Sequence, residues 1–382
     1  MKIYYIANAR MPTEKAHGIQ IAKMCEAFIE AGADLSLVAP RRVTDARSVR
    51  EYYGLRVNIP IIYLPTIDWY TGGRIGYFIS SLSFMISYSL FILHKKISGE
   101  KFVLYTVDTD SYSSSALAFL GLPLFSEMHG AKPRTLAQRI LFKNARGIIA
   151  INKIIVKELQ ENFPRSRARY IVEPNGVDLS KFAHINKQDA REKLDLPLDD
   201  KIVLYAGRFF EWKGLEILPI SASITSQIRW QVVGGSEEDF KRLIKEPLPS
   251  NMFFSGSRPH TEMPLWLASA DALLVLGTIR DTQSYRYTSP MKLFEYLAVG
   301  RPIVASKTPA ISEIVTEEHV FFYTPDDVQD LSRVVQNAIT DGEETAKKVE
   351  SSKLLAENSS WRARAERIVQ FIEENTQEKI HA

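Results

Sequence analysis

Two ionisable side chains, Lys292 and Glu295, stand inside the apolar stretch "YTSPMKLFEYLAVGRPIVAS", residues 287–306. Ser289 is a favourable N-cap, and Pro290 suits the first helical position, where its missing N–H costs nothing. Met291, Leu293, Phe294, Leu297 and Ala298 then give a helix apolar on most sides. Gly300 supplies a left-handed stop and "RPIVAS" reads as a buried strand. Such a helix lies against a core with its N-terminus fixed. The free N–H groups there, with Lys292 beside them, form an anion site. Glu295 lies one turn further in, where a carboxylate needs partners. From the helix alone two readings stand: Glu295 pairs with Lys292 at i,i+3, or it accepts hydrogen bonds from a ligand.

The chain that carries this helix is 382 residues long, enough for two domains of ordinary size. With 45% hydrophobic and 24% charged residues it reads as a soluble globular protein. The single cysteine, Cys25, excludes a disulfide framework and fits a reducing compartment. In "IAKMCEAFIEAG" it is expected to be a core thiol. The start "MKIYYIANAR" runs directly into a strand, so we expect no signal peptide and a cytoplasmic protein. Seven scattered histidines, without HExxH or paired-cysteine spacing, lead us to expect no metal site and no cofactor. The net charge of +3 hides an asymmetry. Residues 1–172 hold 23 Lys and Arg against 13 Asp and Glu, while residues 173–382 hold 25 against 32. Halves of opposite sign meet different partners.

The first half alternates "KIYYIA", "DLSLVAP", "IPIIYLP", "FVLYTV", "LPLFSEMH" and "GIIAIN" with helical patterns over 18–31, 77–95, 134–144 and 154–162. The second half repeats the plan with "KIVLYAG", "IRWQVVGG", "MFFSG", "ADALLVLG", "RPIVAS" and "HVFFY". Continuous apolar strands between helices predict parallel sheets covered on both faces. Two such halves predict two doubly wound α/β domains, with ligands at the carboxyl ends of their strands. The run "GYFISSLSFMISYSLFILHKK", from Gly76 to Lys96, is as long as a marginal membrane span but is interrupted by serines. It is expected to be a mostly buried helix, with an interfacial role left open.

The ordered set "HGIQIAKMCEAFIEAGADLSLVAP", "EMHG", "PNGVDLSKF", "YAGRFFEWKGLEIL", "VVGG", "FFSGSRPHTEMPLWLASADALLV" and "SPMKLFEYLAVGRPIVAS" spans nearly the whole chain. It resembles the family 4 retaining glycosyltransferases. That resemblance implies the GT-B fold, two Rossmann-like domains facing a cleft. Residues 1–172 would bind the acceptor, residues 173–358 the nucleotide-sugar donor, and a helix within 359–382 would cross back to the first domain.

The same resemblance implies roles residue by residue. Glu295 would accept hydrogen bonds from the donor ribose, a task suited to a group that takes two hydroxyls at once. Thr288, Ser289 and Lys292 would face the diphosphate. Arg208 and Lys213 in "GRFFEWKG" would stabilise the leaving diphosphate; the plain alternative is two surface cations after a strand. Gly18 would let backbone approach phosphate, or simply mark a helix-starting turn. His129 in "SEMHG" would lie near the donor sugar, with Glu127 orienting it or merely buried. Ser257 and Arg258 would hold the nucleotide base. Where the family often has a second acid the chain has Tyr287, and Asp281 is the nearest upstream carboxylate to replace it.

The implied reaction is retaining transfer without an obligatory metal, the leaving diphosphate itself deprotonating the acceptor. The acceptor would be a glycan, a lipid-linked or a small molecule; no nucleic-acid partner is expected. Rival readings are a nucleotide-sugar epimerase, which "GRFFEWKG" argues against, and a degenerate, non-catalytic scaffold, whose sequence support is Tyr287. The surplus cations of the first half, with Arg41, Arg42, Arg47, Arg50 and Arg56 among them, suggest peripheral work at an anionic inner membrane face, or a merely solvated surface.

Overall fold

The structure, a computed structural model, describes residues 1–42, 47–110, 112–182, 185–340 and 342–377. Its contacts divide the chain into two units, Met1–Pro174 with Trp361–Ala382, and Asn175–Ser360. Residues 378–382, part of the expected last segment, lie outside the described residues.

The first unit holds seven strands: β1 (Lys2–Ile6), β2 (Asp34–Pro40), β3 (Ile61–Leu64), β4 (Val103–Val107), β5 (Leu124–Met128), β6 (Gly147–Ala150) and β7 (Arg169–Val172). They form one parallel sheet in the order β3-β2-β1-β4-β5-β6-β7. The order reverses between β1 and β4. Six of these strands are the apolar runs of the sequence. The seventh, β7, has no such run because it is an edge strand with no fully buried position. The C-terminal helix Trp361–Gln377 belongs to this unit, bringing Arg364 and Arg367 against Glu173.

The second unit holds β8 (Ile202–Ala206), β9 (Arg229–Val233), β10 (Met252–Phe254), β11 (Ala272–Val275), β12 (Ile303–Ser306) and β13 (Phe321–Tyr323). These six expected strands form a parallel sheet in the order β10-β9-β8-β11-β12-β13, reversing between β8 and β11. Every residue of β8 and β11 is buried, since helices cover both faces. Leu293, Phe294 and Leu297 of the helix Met291–Val299 pack on Leu204, Leu273 and Val275. Gly300 ends that helix at φ 74°, a conformation that glycine adopts without cost.

Two expectations are corrected. Ser289 is not the N-cap of its helix: Pro290 holds that position, and the Ser289 hydroxyl accepts instead from the Asn175 backbone N–H at 3.3 Å. The long helix of the first unit runs from Gly73 to Ile97 and is not mostly buried. Of its 25 residues, Gly76, Ser80, Ser81, Phe84, Tyr88 and Ile92 are buried. Ser80 and Ser81 face the protein beside Phe84, Tyr88 and Ile92, while a second set of large apolar side chains faces out.

Candidate functional site

At the carboxyl end of β8 the backbone turns through Gly207, and β9 ends beside it at Gly234. A Cβ on Gly234 would lie 2.3 Å from the Gly207 carbonyl oxygen, so the two strand ends meet backbone to backbone. Arg208 follows and is exposed. Lys213 lies in the short turn Glu211–Lys213, stopped by Gly214 at φ 70°. Its ammonium donates to the Arg208 carbonyl at 2.8 Å and lies 5.0 Å from the Phe210 ring centre. Burial, and then the Arg208 charge, push its pKa down to about 8.

The helix Met291–Val299 adds a third cation. Lys292 Nζ stands 4.0 Å from the ring centre of Tyr205 and 3.5 Å from the Ala206 carbonyl. Burial, and next the Lys213 ammonium, pull its pKa well below the ordinary lysine value. Tyr296, one turn along, accepts a hydrogen bond from the Ala206 N–H at 3.1 Å, pinning helix and strand end together. None of Arg208, Lys213 and Lys292 forms an ion pair among the described residues.

Glu295 does not pair with Lys292. Its Oε1 accepts from His260 Nε2 at 2.7 Å, with 16% of the Glu295 side chain exposed. The i,i+3 reading fails because Lys292 turns toward β8. The loop before the helix is held from another direction: Asn175 Nδ2 donates to the Ser289 carbonyl at 2.8 Å. Thr288 closes the π-helical turn Gln283–Tyr287 by donating its N–H to the Gln283 carbonyl at 3.0 Å. Tyr287 ends that turn. Asp281 precedes it, its carboxylate accepting from the Ser284 N–H at 3.0 Å. Arg258 lies beyond β10, donating to the Ser255 carbonyl at 2.9 Å, and the Ser257 hydroxyl reaches the Gly234 carbonyl at 3.5 Å.

The structure thus gathers Arg208, Lys213, Lys292, Glu295 and the Thr288–Ser289 loop around the end of β8 within one unit. Gly18 and His129 belong to the other. Gly18 does not precede its helix but lies inside Ala16–Glu30, and the room a Cβ would need is filled by the Tyr53 hydroxyl and Thr13. The sequence reading gave Gly18 a turn or a phosphate, and the structure supplies a packing reason. His129 follows β5, and its Nε2 lies 2.8 Å from Glu127 Oε1. The carboxylate accepts, so the ring proton is assigned to Nε2. Glu127 also accepts from Gln20 at 2.8 Å, from Arg364 Nη2 at 2.8 Å, and from the Tyr105 hydroxyl. Burial alone would raise its pKa, but Arg364 and the His129 bond hold it at about 2.

His260, Asn175 and Arg364 were not singled out from the sequence as site residues. "PNG" marked Asn175 as part of a motif without a partner. His260 stands two residues past Arg258, yet its contact with Glu295 spans 35 residues and leaves no local pattern.

Residues 186–355 match the family model described as glycosyl transferases group 1. A putative colanic acid biosynthesis glycosyl transferase of Escherichia coli is 27% identical over 221 residues, covering 54% of this chain and 51% of that protein. The chain thus spans about half the length of the curated relatives it matches. Sucrose-phosphate synthase from Thermosynechococcus elongatus superposes with a TM-score of 0.76 at 19% identity, covering 99% of this chain and 100% of that one. The Anabaena protein HepE in complex with UDP-glucose gives 0.69 at 17% identity, covering 98% and 100%. The chain has the GT-B fold, and its residues 186–355 are similar to the group 1 glycosyl transferases.

Proposed function

We propose that this protein is a retaining glycosyltransferase. It moves a sugar, of hexosyl type, from a nucleotide-diphosphate sugar to a glycan, lipid-linked or small-molecule acceptor, without a metal, in synthesis of a cell-surface polysaccharide or glycolipid. The carrying observation is the cluster of Arg208, Lys213 and Lys292 at the end of β8. Lys213 and Lys292 are depressed first by burial and then each by a neighbouring cation, with Glu295 offsetting part of the cost at Lys292. A bound diphosphate removes that cost. UDP-glucose in the HepE complex supports a nucleotide-sugar as the ligand, and the colanic acid relative supports a polysaccharide setting.

In this reading Glu295 takes the ribose hydroxyls, steadied by His260. Arg208 and Lys213 stabilise the charge that grows on the leaving diphosphate. Lys292 and the N–H groups near Thr288 and Ser289 hold the same phosphates, and Arg258 with Ser257 borders the base. His129, its proton on Nε2 through Glu127, is a candidate polar group of the acceptor-binding unit. The diphosphate oxygen takes the acceptor proton on the face that the leaving group vacates, so the sugar keeps its anomeric configuration.

A thermal-shift screen with nucleoside diphosphates tests the donor half. A ligand at 100 times its Kd adds about 2.7 kcal/mol of apparent stability, an easily read shift. No stabilisation by any nucleoside diphosphate sinks the reading. Stabilisation without turnover of any nucleotide-sugar, supplied with an acceptor extract, favours the scaffold instead.

A further inference from the structure

The helix Gly73–Ile97 buries Phe84, Tyr88 and Ile92 on one face and carries a second apolar face outside. Beside those side chains, its inward face also places hydroxyls that bond to the fold. Ser80 Oγ accepts from the Trp69 N–H at 2.8 Å, Ser83 Oγ from the Ile67 N–H at 2.9 Å, and Ser81 Oγ from Asn8 at 3.0 Å. Its outward face carries Ile75, Phe78, Leu82, Ile86, Leu90, Leu93 and Ile97, each between 42 and 76% exposed. These serine bonds also hold the loop that presents Ile67 and Trp69, exposed by 57 and 48%. Scattered apolar residues on a surface need no explanation, but an unbroken stripe the length of a 25-residue helix, roughly 37 Å, does.

We infer that this stripe is a docking surface for an anionic lipid bilayer, with the helix lying in the interface plane. Charge favours that occupant. Arg74 stands at one end of the helix, and His94, Lys95, Lys96 and Lys101 at the other, with Glu100 the acid among them. The whole first unit holds 27 Lys and Arg against 18 Asp and Glu, whereas the second holds 21 against 27. Basic ends around an apolar stripe, with Trp beside it, suit headgroup phosphates over an acyl boundary. The stripe's period points the same way. Seven side chains from Ile75 to Ile97 recur about every 3.7 residues, so they follow a nearly straight line along the helix. A coiled-coil partner demands 3.5; a flat surface accepts the straight line. The helix is also long and apolar enough to cross a membrane. The serine bonds to Asn8, Ile67 and Trp69 keep it on the unit instead.

The inference does not depend on the donor reading, and one experiment keeps the two apart. The full chain is sedimented with vesicles of phosphatidylcholine alone and with vesicles one-third phosphatidylglycerol, at low and high salt. The protein pellets with the anionic vesicles at low salt and is largely released by high salt. The double variant Ile86→Glu/Leu90→Glu alters exposed positions. It keeps the wild-type melting temperature and its shift with nucleoside diphosphate, yet binds the anionic vesicles more than about tenfold more weakly. Failure of the wild type to pellet at low salt overturns the proposal, as does equal pelleting of the double variant. A wild type that is dimeric without vesicles, and monomeric as the double variant, reassigns the stripe to a second copy of this chain.

Discussion

The Glu295 carboxylate and the His260 imidazole lie 2.7 Å apart, joining the helix Met291–Val299 to the segment after β10. One carboxylate oxygen, Oε1, is engaged in that bond. Oε2 has no bonded partner among the described residues, and on the proposed reading it takes a ligand hydroxyl. Replacing Glu295 by Gln keeps the shape but turns an acceptor into an amide. Hydrogen bonds to charged groups contribute roughly 1.5–3 kcal/mol, so nucleotide-sugar affinity is expected to fall about 10- to 100-fold. Melting should move little, because the residue is not a core side chain. Titration calorimetry and a melt on the same sample check this; a large loss of stability with normal donor affinity would make Glu295 structural.

On the proposed reading, Lys213 makes the donor site pH-sensitive. Its pKa is about 8 in the folded protein against 10.5 for the ordinary side chain. Between those values the unfolded chain holds a proton that the folded one has released. On this group's account the unliganded protein therefore gains stability as pH rises from 8 toward 10.5. A bound diphosphate favours the charged form, so binding takes up protons near pH 8 and above, and affinity falls as pH rises through that region. Calorimetry with a nucleoside diphosphate at pH 8.5, in two buffers of different ionisation heat, should give different apparent enthalpies. Lys213→Met should shrink the difference. Identical wild-type enthalpies would sink the idea.

Kinetics separate charge stabilisation from simple holding. Arg208→Ala and Lys213→Ala should each lower kcat by about 10²–10³, with a smaller effect on donor Kd, because diphosphate charge grows during the reaction. Arg208→Lys should recover little, since a point charge does not reproduce the guanidinium fork. Single-turnover rates alongside equilibrium binding read both quantities. Loss of affinity with unchanged kcat would assign the two cations to ground-state binding.

What the sequence made legible follows its periodicities. Twelve of the thirteen strands stand out because parallel strands buried on both faces are continuous apolar runs. The edge strand Arg169–Val172 has one such face at most and disappears into its surroundings. The placement of Arg208 and Lys213 after β8, and of His129 after β5, followed from where those runs end. Two features were out of reach. The partner of Glu295 is His260 rather than Lys292 because the lysine points to Tyr205, a choice made by tertiary packing. The helix Gly73–Ile97 was expected to bury its apolar residues, since hydropathy reports composition and not direction. Phe84, Tyr88 and Ile92 do turn inward, with Ser80 and Ser83 bonding to loop N–H groups, but the helix is apolar on a second face that stays outside.

The last prediction concerns the C-terminal helix. Arg364, 1% exposed, reaches Glu127, which is fully buried, and also donates to the Glu173 and Pro174 carbonyls at 3.0 and 2.7 Å. Arg364→Met removes the guanidinium but keeps the bulk, leaving the Glu127 carboxylate without its counter-charge. Breaking a buried pair in this way costs roughly 3–5 kcal/mol. The pH dependence identifies the cause. In the wild type, against the upward push of burial, Arg364 and the His129 bond hold the Glu127 pKa down at about 2, below the ordinary 4.5. Its contribution to stability is therefore present above pH 4.5 and is lost as pH falls toward 2. Without Arg364 the same carboxyl is raised by burial, so acid neutralises it and relieves the variant. The gap in melting temperature between wild type and Arg364→Met should be widest near neutral pH and narrow toward pH 4. Adding Glu127→Gln to Arg364→Met should recover part of the loss at neutral pH, because an amide needs no counter-charge. A gap that stays constant from pH 8 to 4 would show that Arg364 acts through the carbonyls of Glu173 and Pro174 and not through Glu127.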